Sequence, residues 1–338
     1  MRILLVNHEF TITGASTVLL RLAAHLQGRG HSLTVLPANP EDGPIKAAYE
    51  ALGIGIATGA ALSAFDIAIA NGIGTTQAVI DIAGRVPTIW FLHEAEVGLR
   101  ILLKNPALGQ AFGIAAAVVY QTAYQAEIYR SFTYALPPQT FHIIPNGLPP
   151  LPESLPAVRP KARPLRLVQV GSVEPRKRGG DLIRAVAAAG LDMECVLCGR
   201  VYELDEAARR LAEAEPSRFI LTGEVSPETA LAWIKSADIS ALVSESESQP
   251  VSVMEAARFG RPLLLSDLGI YRGIFTHGQS ALMAPVGHVA LLAANLALLA
   301  GNPGLRAQLG QAAAQAVRGF TAARFFLQFE AVIAGLAA

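Results

Sequence analysis

Short, unbroken apolar runs recur along this chain, each followed by a stretch of helical periodicity, and that alternation leaves few folds open. The first series lies at 3–6, 33–36, 67–70, 88–91, 118–120 and 141–144. A strand with one wet face alternates apolar and polar residues, whereas a strand covered on both faces reads as continuous apolar sequence. These runs are of the second kind. After the first of them, 16–28 reads as a helix with Leu19, Leu20, Ala23 and Leu26 on one face. The series predicts a parallel sheet with helices on both sides.

The pattern stops at a proline-rich stretch, 148–164, with Pro149, Pro150, Pro152, Pro156, Pro160 and Pro164. It then restarts at 165–170, 195–198, 219–221, 239–243 and 262–265. At 338 residues the chain exceeds a single compact core. The expected fold class is therefore α/β, with two Rossmann-like, doubly wound domains facing a cleft. The divisions are 1–150, a linker at 151–164 that could act as a hinge, and 165–321. A last helix at 322–338, with no strand after it, is expected to pack back on the first domain.

Composition narrows the partners. Lys and Arg total 27 against 27 Asp and Glu, so no net field favours nucleic acid or an anionic membrane. No segment reaches the roughly 18 uncharged apolar residues of a membrane span. The richest stretch, 289–300, is short and interrupted by Asn295, and reads as a packed helix. The N-terminus reads as a first strand, with no small-residue cleavage site. Cys195 and Cys198, three apart on a strand, should point to opposite faces and stay reduced. A cytoplasmic protein is expected, with contact at the inner membrane face left open.

Chemistry concentrates in loops that follow strands. Glu247 and Glu255 flank Ser248, Gln249, Pro250 and Val251, with Pro250 placed for a first helical turn and Gly260 just past the helix end. Free N–H groups at that helix start, near Val251 and Ser252, would suit an anion. One carboxylate before and one behind then suggests a phosphorylated, hydroxyl-rich ligand. The loop 171–180 carries Arg176, Lys177 and Arg178 in a row, able to neutralise a diphosphate. The loop 7–16 has Gly14 at a helix start but lacks the three-glycine fingerprint and the Walker lysine. His93 ends the run at 88–92, beside Glu94, and Pro145, Asn146 and Gly147 close the first domain with a turn signal.

Taken in order, 247–250, Glu255 and Ala256, 260–262, Ser266 and Asp267, and 278–285 resemble the C-terminal signature of glycosyltransferase family 4. Gly171 to Lys177 resembles that family's diphosphate loop, and 144–147, Gly14 with Ala15, Gly30 with His31, and His93 with Glu94 are also similar. Members are retaining enzymes of the GT-B fold that use nucleotide-sugar donors and act in glycan, polysaccharide or glycolipid synthesis. The resemblance implies a role for each matching residue. Glu255 would hold the ribose, and Glu247 would meet the transferred sugar, aided by Ser248, Gln249, Pro250 and Val251. Lys177, with Arg176, would stabilise the leaving diphosphate. Gly14 and Ala15 would approach the donor, His93 would bond a sugar hydroxyl, and Arg200 and Val225 would lie near the base. Many members carry an arginine where this chain has Ser172, and a glycine where it has Pro250. A metal-independent reaction with no cofactor is implied, with a saccharide or lipid-linked acceptor. A nucleotide-sugar 2-epimerase of the same architecture, or a non-catalytic sugar-nucleotide binder, is the alternative.

Overall fold

The computed structural model describes residues 1–39, 42–59 and 61–337. It divides into two compact units, Met1–Gly147 with Phe320–Ala338, and Leu148–Gly319.

In the first unit the strands are β1 (Arg2–Asn7), β2 (Ser32–Pro37), β3 (Gly55–Ile56), β4 (Ile67–Asn71), β5 (Thr88–Phe91), β6 (Ala117–Tyr120) and β7 (Phe141–Ile143). All pair in parallel, in the order β3-β2-β1-β4-β5-β6-β7. Alternate residues of one strand enter opposite layers, which is why the runs read as unbroken. Ile3, Leu5, Ile69 and Phe91 pack with Leu19 and Leu22 of the helix Gly14–Gly28 and with Phe325 and Phe329 of the helix Ala322–Ala337. Leu4, Val6, Ala70 and Trp90 pack on the other face with Val79, Phe112 and Tyr129.

The second unit repeats the plan with β8 (Leu165–Val170), β9 (Met193–Cys198), β10 (Phe219–Leu221), β11 (Ile239–Leu242), β12 (Leu263–Ser266) and β13 (Leu282–Ala284). Its order is β10-β9-β8-β11-β12-β13, again parallel. Cys195 and Cys198 are free and buried, and belong to clusters on opposite faces of this sheet. Burial pushes the Cys195 thiol up to about 12, so it stays a thiol. The helix Val289–Gly301 is anchored by Leu292, Leu296 and Leu299, and its Asn295 amide donates to Met283 O at 3.3 Å. No single helix among the described residues is long and apolar enough to cross a membrane.

In both sheets the order reverses beside the first strand, between β1 and β4 and between β8 and β11. Chain leaving the two strands there diverges to opposite sides and opens a crevice at their carboxyl ends. Those are the places to look for ligand chemistry.

The opposite, amino-terminal edge of the second sheet is tied to the proline-rich segment. Arg166 and Glu194 form a buried ion pair at 2.7 Å, with side chains 2% and 0% exposed. Arg166 also donates to Arg159 O at 2.9 Å, and Glu194 accepts Ala162 N–H at 2.5 Å. Lys161 pairs with Asp238 at 2.9 Å and Arg163 with Asp192 at 2.7 Å. Residues 159–163 are thus a strap fixed to the second unit. Removing Glu194 alone would strand a buried guanidinium, at a cost of about 3–5 kcal/mol.

Three local expectations need correction. The first helix begins at Gly14 instead of residue 16, because Thr13 and Ser16 form a reciprocal capping box. Gly14 and Ala15 are therefore first-turn residues. The helix after β8, expected from about residue 181, begins at Gly179. Pro250 is the cap of the helix Val251–Arg258, extended at ψ 115°, and stands just outside the first turn. Strands β3 and β13 add to the expected set; β3 is two residues long, and β13 lies in the apolar run 281–284.

Candidate functional site

At the carboxyl edge of the second sheet, β8 runs into Gly171, whose φ of 145° is open only to glycine. Gly199, after β9, has φ 152°, and a Cβ there would sit 2.3 Å from Gly171 O. The absent side chain lets the two strand ends touch. Val173 N–H then donates to Arg200 O at 2.8 Å, closing the loop against its neighbour. A single 3-10 turn, Pro175–Lys177, follows, ending on Arg178 in the left-handed region at φ 50°.

That turn delivers two cations to the end of β11. Lys177 Nζ donates to Glu247 Oε1 at 2.5 Å, with side chains only 14% and 8% exposed. Arg176 lies 3.6 Å from the same oxygen and donates to Ser246 O at 2.8 Å. Its other amine donates to Glu174 Oε1 at 2.9 Å, and the Ser172 hydroxyl donates to that same oxygen at 3.0 Å. Glu245 N–H donates to Arg176 O at 2.9 Å, stapling the two loops by backbone as well. Arg178 turns away, to Asp181 at 2.6 Å and Glu245 at 2.7 Å. Arg176, Lys177, Ser172 and Glu247 therefore meet at the reversal point, and Glu174 joins them.

The other expected residues of this unit lie around that cluster. Ser248 is partly buried, and Gln249 and Pro250 are buried in the turn that enters the helix carrying Val251 and Glu255. Glu255 is partly buried. Ser252 secures the helix start by donating to Val170 O at 3.1 Å. Arg200 stacks over the exposed Tyr202 ring at 5.0 Å. Val225 packs against an apolar cluster that includes Cys198. Tyr271, beyond β12, is buried, and its hydroxyl has no hydrogen-bond partner among the described residues. Burial, and secondarily the charge of Glu247, raises its hydroxyl well above the ordinary range.

The corresponding edge of the first sheet carries mainly amides, with one acid, Glu94, held by backbone N–H groups. Asn7 ends β1, Asn71 ends β4, His93 follows β5, Gln121 follows β6 and Asn146 follows β7; the four amides are at most 4% exposed. They form one connected chain. Asn71 spends its NH₂ on Asn7 Oδ1 at 3.3 Å and Ala15 O at 3.2 Å, so its Oδ1 faces His93 Nε2 at 2.7 Å as acceptor. Nε2 therefore carries the proton, and Nδ1 accepts from Gln121 Nε2 at 2.6 Å. Gln121 also donates to Asn146 Oδ1 at 3.1 Å. Burial pushes the His93 imidazole down to about 3, so it is neutral here. Both ring nitrogens are engaged within the unit. Glu94 does something else. Its carboxylate accepts Ile73 N–H at 2.8 Å and His93 N–H at 3.2 Å, fixing the chain after β4. Burial raises it despite those donors. Gly14 stands in open space, with nothing within 4 Å of a Cβ built there.

Glu174, Asn7, Asn71, Gln121 and Tyr271 were missed from sequence. For Asn7, Asn71 and Gln121 a signal existed, since each is the polar residue directly ending an apolar run.

Comparison with known proteins bears on this geometry. Residues 153–316 match the family model for glycosyl transferases group 1, which puts that sequence signature in the second unit. A D-inositol 3-phosphate glycosyltransferase of Kribbella flavida is 32% identical over 171 residues, 46% of this chain and 39% of that protein. A phosphatidyl-myo-inositol mannosyltransferase of Mycobacterium leprae is 31% identical over 149 residues, 43% and 39% of the two chains. The match thus spans 39% of the length of these curated relatives. Anabaena HepE, solved with UDP and glucose, superposes with a TM-score of 0.77 at 17% identity, covering 99% of this chain and 100% of that one. Sucrose-phosphate synthase of Thermosynechococcus elongatus gives 0.76 at 17% identity, covering 99% of each chain. At such identity the likeness shows the fold, which is α/β with two Rossmann-like domains, the GT-B architecture.

Proposed function

We propose that the protein is a glycosyltransferase that moves a sugar from a nucleoside diphosphate to an acceptor hydroxyl, with retention at the anomeric carbon. The observation that carries this reading is the meeting of Lys177, Arg176 and Glu247 at the reversal point of the second sheet, inside the matched segment. Cations poised where a diphosphate leaves supply the charge stabilisation that such a reaction needs most. The transition state is oxocarbenium-like, so a carboxylate near the sugar offsets the positive charge that develops there. In this reading Glu247 serves the sugar, Glu255 the ribose, and Arg176 with Lys177 takes the neutralising role without a metal. The backbone around Gln249 to Val251 helps to hold the sugar and diphosphate, with Arg200 and Val225 near the base. For His93 to bond a sugar hydroxyl, that hydroxyl replaces Gln121 or Asn71 at the ring.

UDP-sugars are the first donors to try, since HepE was solved with UDP and glucose. The acceptor is a saccharide or a lipid-linked hydroxyl, the latter in keeping with the names of the curated relatives. The test is a thermal-shift screen of the full chain against UDP-, GDP- and ADP-sugars, because a true donor stabilises by mass action. NMR of the product's anomeric proton then follows for the donor that binds. Stabilisation by one donor class and a product of unchanged anomeric configuration are expected. A chain that none of the three classes stabilises would defeat the reading.

A further inference from the structure

The cradle just described is already full, and its occupants are the protein's own carboxylates. Lys177 is held by Glu247 at 2.5 Å, and Arg176 is shared between Glu174 at 2.9 Å and Glu247 at 3.6 Å. Two cations thus face two anions, with Ser172 fixing Glu174 from the side at 3.0 Å. A diphosphate cannot simply be added to this arrangement. Unit like charges 4 Å apart repel by about 4 kcal/mol at the effective dielectric of a protein surface, and the cations have no charge to spare. Either the incoming anion binds weakly or the resident carboxylates give way.

We propose that Glu247 and Glu174 are resident counter-ions of the diphosphate cradle, releasing Lys177 and Arg176 to the nucleoside diphosphate as the donor binds. This rests on the glycosyltransferase reading above and goes beyond it in one respect. Glu247 becomes available to the sugar only after the cradle is filled, so the ion pair couples phosphate capture to sugar engagement. Glu174 acts purely through Arg176, as a positioning residue. The Tyr271 hydroxyl lies within the field of Glu247 and has no hydrogen-bond partner among the described residues. A hydroxyl donor turning to a carboxylate that has lost its ammonium satisfies both groups.

The exchange predicts that neutralising a counter-ion tightens binding of the bare diphosphate. UDP, GDP and ADP would each be titrated by calorimetry into wild type, E247Q, E174Q and E247Q/K177A. Whichever diphosphate wild type binds should bind E247Q about three- to tenfold more tightly, a change of about 0.7–1.4 kcal/mol. E174Q should gain less, and the gain of E247Q should vanish when Lys177 is also removed. A residue that touched only the sugar would leave these affinities unmoved. Unchanged or weaker binding by E247Q, with a melting curve like that of wild type, overturns the exchange while the transferase reading stands. Should E247Q not fold, E174Q carries the same expectation, and no gain there has the same force. Failure of wild type to bind any of the three overturns both.

Discussion

The two sheets share a strand order and differ wholly in what they carry at their carboxyl edges. The first presents amides and a neutral imidazole, linked into one hydrogen-bonded row from Asn7 to Asn146. The second ends in ions, with Lys177 and Arg176 against Glu247 and Glu174. A neutral chain of buried donors and acceptors is fixed by mutual satisfaction, and each member lost leaves another unpaired. An ionic cluster is fixed by charge, and a stronger anion can exchange into it. One topology has therefore produced a rigid edge and an exchangeable one.

The largest expected effect lies on the ionic edge. Lys177→Ala should lower turnover with a bound donor by about 10²–10³, equivalent to roughly 2.7–4 kcal/mol, by analogy with removing one preorganised oxyanion donor. The measurement is steady-state transfer under saturating donor. Turnover equal to wild type would leave the ionic edge with no part in leaving-group stabilisation, and the contrast between the edges would lose its functional meaning.

Acid should act on the neutral edge next. His93 is held near 3 in the folded chain against an ordinary value of 6.5. Between those values the unfolded chain takes up a proton that the folded chain refuses, so stability falls as pH drops from 6.5 toward 3. The slope is about 1.4 kcal/mol per pH unit for this one group. Urea unfolding at pH 7 and 4.5 should show wild type losing about 2–3 kcal/mol more than His93→Gln, which has no proton to gain. Equal losses in the two proteins would mean that His93 is not held neutral.

Asn71→Ala should cost somewhat less, about 1–3 kcal/mol at neutral pH, because it strands the Asn7 carbonyl oxygen and the His93 N–H in a buried setting. Urea unfolding reads this directly. Replacing Glu174 by Gln on the ionic edge should leave stability nearly unchanged, since a half-exposed pair with Arg176 contributes little. Reversal of that ranking would break the distinction between a satisfied edge and an exchangeable one.

How much of this was readable from sequence differs between the edges for a physical reason. Unbroken apolar runs fix strands buried on both faces, so both sheets were legible, and so were the opposed cysteines. Lys177, Arg176 and Glu247 stood out in sequence by their place in strand-end loops and by the family resemblance, and the fold adds that both cations converge on Glu247. Asn7, Asn71 and Gln121 were not singled out, because an amide after a strand reads equally well as a turn. Only the fold brings five strand ends into one row. Glu174 was passed over for a related reason. A carboxylate next to three cations reads as local neutralisation, and its hold on Arg176 depends on a 3-10 turn that the sequence does not announce. Strand β3, at two residues, lay below the length at which periodicity can be seen.

Gly14 offers a small effect and the sharpest question about the neutral edge. It opens the helix Gly14–Gly28, and a Cβ there would meet nothing within 4 Å. On backbone grounds alone, alanine should be the better residue. Gly→Ala at a compatible helical position stabilises by about 0.4–1 kcal/mol, mainly by restricting the unfolded chain. Glycine therefore needs another reason to be there, and close approach of a ligand to the first-turn amides would supply one. Gly14→Ala should raise the unfolding midpoint while raising KM for the donor. A more stable variant with unchanged KM would show that no ligand comes near this helix start. The neutral edge would then be purely structural, and the chemistry would belong to the ionic edge alone.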